Sequence, residues 1–113
     1  MERVFGFARR PAAPTQWDSA QLGAALRESP APLVLDVRSA MEFRARHIPG
    51  AQHIPLGQVP GRAAALPAGR TIVCVCLSGH RSLQAAAMIR RAGREAVSLR
   101  GGMIRWRGPV QSA

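Results

Sequence analysis

Cysteine is scarce in this chain. There are two in 113 residues, one residue apart as Cys74-Val75-Cys76. That number and spacing exclude a disulfide framework, because in a strand both side chains leave on the same face. They also fall short of a zinc site, since two further ligands at suitable spacing are missing and His47, His53 and His80 supply no such arrangement. Aromatic residues make up 4% of the chain and tyrosine is absent, so the arginines are not interleaved with stacking side chains. With no nucleic-acid motif beside them, this argues against dedicated nucleic-acid binding. No apolar run approaches the roughly 20 residues that a membrane-spanning helix needs. The start, Met1-Glu2-Arg3-Val4-Phe5-Gly6-Phe7, lacks the basic-then-apolar layout of a secretory signal. The expectation is a cytoplasmic protein with no membrane partner.

Lysine is missing too: all sixteen basic residues are arginine, against six acids, for a formal charge of +10. Such a balance attracts anions, whether small substrates, nucleic acid or acidic proteins. It is equally the product of a coding bias towards Ala, Arg, Gly and Pro. The arginines are scattered, with small groups at Arg9-Arg10, at Arg90, Arg91 and Arg94, and at Arg100, Arg105 and Arg107. A hydrophobic fraction of 47% over this length suits one domain with a single core. Residues 1–14, with Pro11 and Pro14, read as an arm in which residues 4–7 form at most an edge strand, and residues 15–113 as the domain.

Within that domain, strands alternate with helices. Residues 15–17 suggest a short strand, and Asp18 or Ser19 caps a helix over 20–27 with Leu22 and Leu26 on one face. Leu33-Val34-Leu35-Asp36-Val37 is an apolar run of the kind buried on both faces of a parallel sheet. Ser39-Ala40-Met41-Glu42 matches a capping box and starts a short helix to about Arg46. His47-Ile48-Pro49-Gly50 turns, residues 51–54 form a brief strand, residues 55–60 a loop and residues 61–66 a short helix. A strand over 71–76, a helix over 82–92 stopped at Gly93, a strand over 96–99 and a last helix over 103–106 complete the chain. This order argues for an α/β fold with a mainly parallel sheet.

The organising stretch is Thr71-Ile72-Val73-Cys74-Val75-Cys76-Leu77-Ser78-Gly79-His80-Arg81-Ser82. It places Cys76 at the carboxyl end of a buried strand, below the N-terminus of the next helix. The unpartnered N–H groups there favour negative charge, and the thiolate is the reactive form of cysteine. In parallel sheets, ligands sit at the carboxyl ends of the strands. Cys74, two residues back, is expected to pack in the core. Its alternative role is a resolving thiol that attacks an oxidised Cys76, which strand stiffness opposes.

Taken together, Leu35-Asp36-Val37-Arg38, Glu42-Phe43, His47-Ile48-Pro49-Gly50-Ala51, Ile54-Pro55, Cys76-Leu77-Ser78-Gly79-His80-Arg81-Ser82, and Leu99-Arg100-Gly101-Gly102 with Trp106 resemble the rhodanese-like family of sulfurtransferases in its single-domain form. The resemblance implies a central five-stranded parallel sheet flanked by helices on both faces, with Cys76 as the catalytic residue. It implies transfer of a sulfane sulfur from thiosulfate or a similar anionic donor, through a Cys76 persulfide, to cyanide, a thiol or a protein acceptor. Neither metal nor organic cofactor is required, and the chain is expected as a monomer or homodimer. Backbone N–H groups of Leu77, Ser78, Gly79, His80, Arg81 and Ser82 would cradle the anionic sulfur. The related phosphatases and arsenate reductases resemble this loop but carry one more residue between cysteine and arginine. The six residues from Cys76 to Arg81 favour sulfur.

Arg81 is read as binding the anionic donor or keeping Cys76 ionised; its alternative is an exposed residue paired with a helix carboxylate. His80 is expected to face outward. Leu77 and His80 are bulkier than the small residues of the mercaptopyruvate-using branch, which points to thiosulfate. Asp36 and Arg38 are read as supporting residues that brace neighbouring loops, Glu42 as a cap, His47 as a turn residue and Trp106 as an anchor at the core's edge. Two rival functions remain: a phosphatase or arsenate reductase, and a non-catalytic or partner-specific sulfur-relay module.

Overall fold

The structure, a computed structural model, describes residues 14–113; the arm and the edge strand expected over residues 4–7 lie outside the described residues. Five strands form one sheet: β1 (Gln16–Trp17), β2 (Leu33–Asp36), β3 (Gln52–His53), β4 (Ile72–Val75) and β5 (Ala96–Leu99). Their spatial order is β1-β5-β4-β2-β3 and every pairing is parallel. The helices are α1 (Ser19–Ala25), α2 (Ala40–Ala45), α3 (Val59–Arg62), α4 (His80–Arg91) and α5 (Gly102–Arg105), with single 3-10 turns at Leu56–Gln58 and Ala63–Ala65.

The apolar runs form the strands because both faces of the sheet are covered. Leu33, Leu35, Ile72, Cys74, Cys76 and Ala96 face α4 and the α3 segment through Ala85, Ala86, Ile89, Val59 and Ala63. Val34, Val73, Val75, Val97 and Leu99 point the other way, towards Leu22 of α1, Met103 of α5 and Trp106. All residues of β2, β4 and β5 are buried, as a strand inside a doubly covered parallel sheet requires. Cys74 and Cys76 share one face, and Cys74 has no exposed surface.

Most element boundaries fall within a residue or two of the expected ones. The informative difference is at α4, which begins at His80 and not at Ser82. Gly79 takes φ +107° as the N-cap, so the chain enters the helix two residues early. The loop after β4 therefore shrinks, and His80, Arg81 and Ser82 become the helix's first turn. The stretch expected as a loop over 55–60 is also partly helical, with Pro60 in the first turn of α3, where its missing N–H is not needed. Asp18 is the cap of α1, accepting from Gln21 N at 2.8 Å, while Gln21 Oε1 accepts from Asp18 N.

The topology fixes where a site can form. From β2 the chain moves outward to β3, then returns to β4 and proceeds to β5 on the opposite side. The carboxyl ends of β2 and β4 thus flank the point where the strand order reverses, the crevice in which ligands bind in such sheets. Asp36 ends β2 and Cys76 follows β4 at that crevice.

Because Leu35 lies fully buried in β2, Leu35→Ala is expected to cost about 2–5 kcal/mol, read as a lower urea midpoint with unchanged slope. Met41→Ala, at a residue 76% exposed, is expected to stay within about 0.5 kcal/mol.

Candidate active site

Cys76 Sγ sits inside a ring of donors. Gly79 N–H donates to it at 3.0 Å and Ser82 N–H at 3.3 Å; the Ser82 hydroxyl lies 3.3 Å away. Ser82 is the third residue of α4, so its N–H is one of the orphan donors of a helix start. Burial pushes the Cys76 thiol up, but hydrogen bonds from the Ser82 hydroxyl and from the N–H groups of Ser82, Gly79 and Ser78 outweigh it and hold the pKa below the ordinary thiol value. Cys74 lacks that ring. Burial pushes its thiol up to about 12, leaving it neutral and poorly nucleophilic at physiological pH.

Beneath the thiol lies a residue that the sequence reading did not single out. Ser98 of β5 pairs in register with Cys74 and is fully buried. Its hydroxyl stands 2.7 Å from Ser82 Oγ, which also lies 3.2 Å from Gly79 O. The Ser82 hydroxyl has one proton to donate. When that proton turns onto a Cys76 thiolate, the Ser98 hydroxyl can donate to Ser82 in turn, extending the polar chain by one link. The signal was legible in principle: Ser98 is the one polar residue in the Ala96–Leu99 strand.

The carbonyl side of the loop is held by α5. Met103 N–H donates to Cys76 O at 2.9 Å and Ile104 N–H to Leu77 O at 3.1 Å. Gly102, at φ +57°, must be glycine for a second reason: a Cβ there would strike the carbonyl oxygens of Cys76 and Leu77. The double glycine read from the sequence as a turn is thus where α5 closes on the loop.

Arg81 makes the pairing with a helix carboxylate that its alternative reading names. Its Nη1 and Nη2 donate to Glu42 Oε1 and Oε2 at 2.9 and 3.0 Å, a bidentate pair. The cause is geometric, since Ser39 caps α2 and projects Glu42 across the crevice towards the first turn of α4. Glu42 therefore does more than cap. Its Oε1 also accepts from Ser39 N at 3.0 Å, and the Arg81 hydrogen bond, partly opposed by burial and aided by Ser39, lowers its pKa to about 2.

Asp36 and Arg38 form a buried brace. Arg38 Nη2 donates to Asp36 Oδ2 at 2.7 Å and to Arg46 O at 2.6 Å, tying the end of β2 to the end of α2. Neither hydrogen-bonds to Cys76. His53 Nε2 lies 2.7 Å from Arg38 O, and Phe43 stacks between His47 and His53. His47 Nδ1 lies 2.7 Å from Phe43 O, as suits a turn residue. His80 is exposed, with Nδ1 3.1 Å from Ser78 Oγ. Leu77 is 43% exposed, whereas Cys76 is buried. Trp106 is nearly buried and donates Nε1–H to Pro109 O at 2.9 Å.

Two outcomes follow from this geometry. Ser82→Ala should raise the pH midpoint of Cys76 ionisation, followed by thiolate absorbance or alkylation rate, and Ser98→Ala should raise it by less. An unchanged midpoint in both variants would remove the hydroxyl chain from the site. The second concerns acid. Glu42 is held near 2 against a usual 4.5, so its contribution to stability is complete above the usual value and is lost as pH falls from there towards 2. Glu42→Gln should be less stable at neutral pH and flatten that acid limb, measured as urea midpoints across the range.

Known proteins resemble this chain over most of its length. A family model described as Rhodanese-like domain matches residues 19–108. A protein named Sulfurtransferase from Allochromatium vinosum is 37% identical over 90 residues, covering 79% of this chain and 84% of that protein. YrkF of Bacillus subtilis is 39% identical over 79 residues, which are 69% of this chain and 43% of YrkF, so the chain spans less than half of that longer relative. The crystal structure of a rhodanese-like domain protein from Staphylococcus aureus superposes with a TM-score of 0.81 at 26% identity, covering 88% of this chain and 98% of that one. The matched residues run from α1 through β2, the donor-ringed cysteine and α5, and the chain belongs to the rhodanese-like domain family.

Proposed function

We propose that this chain is a sulfurtransferase that carries a sulfane sulfur as a persulfide on Cys76. The observation that carries the reading is the contrast between two cysteines on one face: donors ring Cys76 and hold it below the ordinary thiol pKa, while burial, with no such ring, pushes Cys74 up to about 12. Of the two, Cys76 is the sulfur placed to act as a nucleophile. Its thiolate attacks the outer sulfur of thiosulfate, the sulfur–sulfur bond of the donor breaks, and sulfite leaves with the bonding pair. The same N–H groups then stabilise the terminal persulfide anion. An acceptor thiolate, or cyanide in the test tube, attacks that outer sulfur and returns Cys76 as thiolate. Electrons balance in both displacements without metal, cofactor or external oxidant, and the reduced thiols this requires suit a cytoplasmic setting.

One observation favours the partner-specific form of this reading over free thiosulfate. With Arg81 committed to Glu42, the charge of a small anionic donor would rest on backbone N–H groups and His80. A protein persulfide donor brings its own binding surface and needs no such cation.

The test is intact-protein mass after incubation with thiosulfate, for wild type and Cys76→Ser. The expected result is a gain of one sulfur, reversed by cyanide and absent from the variant. Loading by a persulfidated protein but not by thiosulfate would select the relay form. Failure with thiosulfate, mercaptopyruvate and protein donors alike, with hydrolysis of an aryl phosphate that is lost in Cys76→Ser, would overturn the proposal in favour of a phosphatase.

A further inference from the structure

Most arginines with a defined partner serve the fold. Arg38 and Arg81 are paired with carboxylates. Arg70 donates to Ala31 O, Arg90 to Ala96 O, and Arg94 to Leu66 O and Ala64 O. Four others converge on one place. A cleft of about 820 Å³ between α1 and the segment after β5 is lined by Arg27, Arg100, Arg105 and Arg107, all of them exposed. Among the described residues none of the four makes an ion pair; Arg100 Nε reaches the neutral Gln16 Oε1 at 3.2 Å. The lone acid in the lining is Asp18, whose Oδ1 already accepts from Gln21 N to cap α1. Arg44, Arg46, Arg62 and Arg91 are also without a salt bridge, but they do not line this cleft.

Four guanidinium groups around one concavity, with one committed carboxylate, form a field that an anionic partner would relieve. The cleft's position links it to Cys76. The helix whose first N–H groups hold Cys76 O and Leu77 O is α5, and Arg105 is its last residue. Ile104, 67% exposed, and Leu77, 43% exposed, are joined by the Ile104 N–H to Leu77 O hydrogen bond, which puts exposed apolar surface on α5 and on the loop after Cys76. The floor on the α1 side is Ala20, Gly23 and Ala24, small residues that leave room for aliphatic side chains. A nucleic acid fits less well. Trp106, the aromatic residue at the cleft, is nearly buried and has its N–H committed, so no stacking platform faces the groove.

We infer that this cleft docks an acidic protein segment. If the sulfurtransferase reading holds, on which this step rests, that segment belongs to the partner whose thiol exchanges sulfur with Cys76. The arginines hold the acidic segment while Leu77 and Ile104 receive its apolar residues. Attraction of this kind is screened by salt over roughly 8 Å at physiological ionic strength.

The experiment uses a labelled Glu-rich peptide carrying one cysteine, with a Gln-for-Glu counterpart, inorganic phosphate and a single-stranded oligonucleotide as competitors. Binding is measured by fluorescence anisotropy on the whole chain in the Cys76→Ser form, so that it does not depend on sulfur chemistry. The acidic peptide should bind more tightly than the Gln form and weaken with added salt. Arg27→Gln, Arg100→Gln and Arg107→Gln combined should weaken it by about tenfold or more, and the Lys versions should largely restore it. In the Cys76-intact chain, the combined Gln variant should slow persulfide discharge to the acidic peptide while leaving thiosulfate loading unchanged. Equal binding of the two peptides, or no loss in the Gln variant with its melting temperature unchanged, would overturn the inference. So would tighter binding of the oligonucleotide through the same arginines, or complete displacement by millimolar phosphate, which would mark a small-anion site. Absent persulfide loading with binding intact would remove the sulfur reading and leave the acidic-segment site standing.

Discussion

Taking a thiol out of water disfavours its charged form, and both cysteines of the Cys-Val-Cys stretch, one in β4 and one just past its end, lie buried in the same core cluster. The geometry around Cys76 depends on the donors that offset this penalty. They come from three directions: the tight turn at Gly79, the first turn of α4 and the Ser82 hydroxyl resting on Ser98. Each is placed by a different part of the fold. The turn requires a residue at φ +107°, the helix start requires α4 to pack on β4 and β5, and Ser98 requires β5 to lie beside β4 in its observed register. Disturbing any of them removes part of the compensation for burying the sulfur.

The rest of the site holds these donors still. Glu42 and Arg81 link the starts of α2 and α4 across the crevice where the strand order reverses, and Asp36 with Arg38 ties the end of β2 to the end of α2. On the other side, α5 holds the carbonyls of Cys76 and Leu77, so the loop's N–H groups point inward at the sulfur while its C=O groups point outward to a helix start. The clamp at Arg81 is half exposed, which limits its energetic worth. Its main effect is to set the position of the first turn of α4.

The positive charge divides in the same way. Several guanidinium groups close loops by donating to carbonyls, a role suited to a planar group with five donors that never deprotonates. Of those lining the cleft beside α5, Arg100 donates to Gln16 Oε1, and among the described residues none is paired with a carboxylate. A uniform coding bias supplies the arginines but does not collect four of them around one concavity.

The local patterns determined a good deal of this protein. Continuous apolar runs at residues 33–37 and 71–76 marked strands covered on both faces, and Ser39 with Glu42 marked a helix start. The strand ending at Cys76 ahead of a glycine-bearing turn marked the place where an anion would be held. These were legible because each depends on residues close in the chain, as did the resemblance to the rhodanese-like family, whose five-stranded parallel sheet is present. What lay beyond reach were contacts between residues far apart. The pairing of Arg81 with Glu42 spans 39 positions and that of Ser82 with Ser98 spans 16. Local pattern offered Arg81 a donor or a carboxylate with no means of choosing. The approach of Gly102 to the Cys76 carbonyl and the gathering of Arg27 with Arg100, Arg105 and Arg107 are of the same kind. Strand order and helix packing decide such distances, because a side chain's partner depends on which elements the sheet brings together and not on the neighbours it has in sequence.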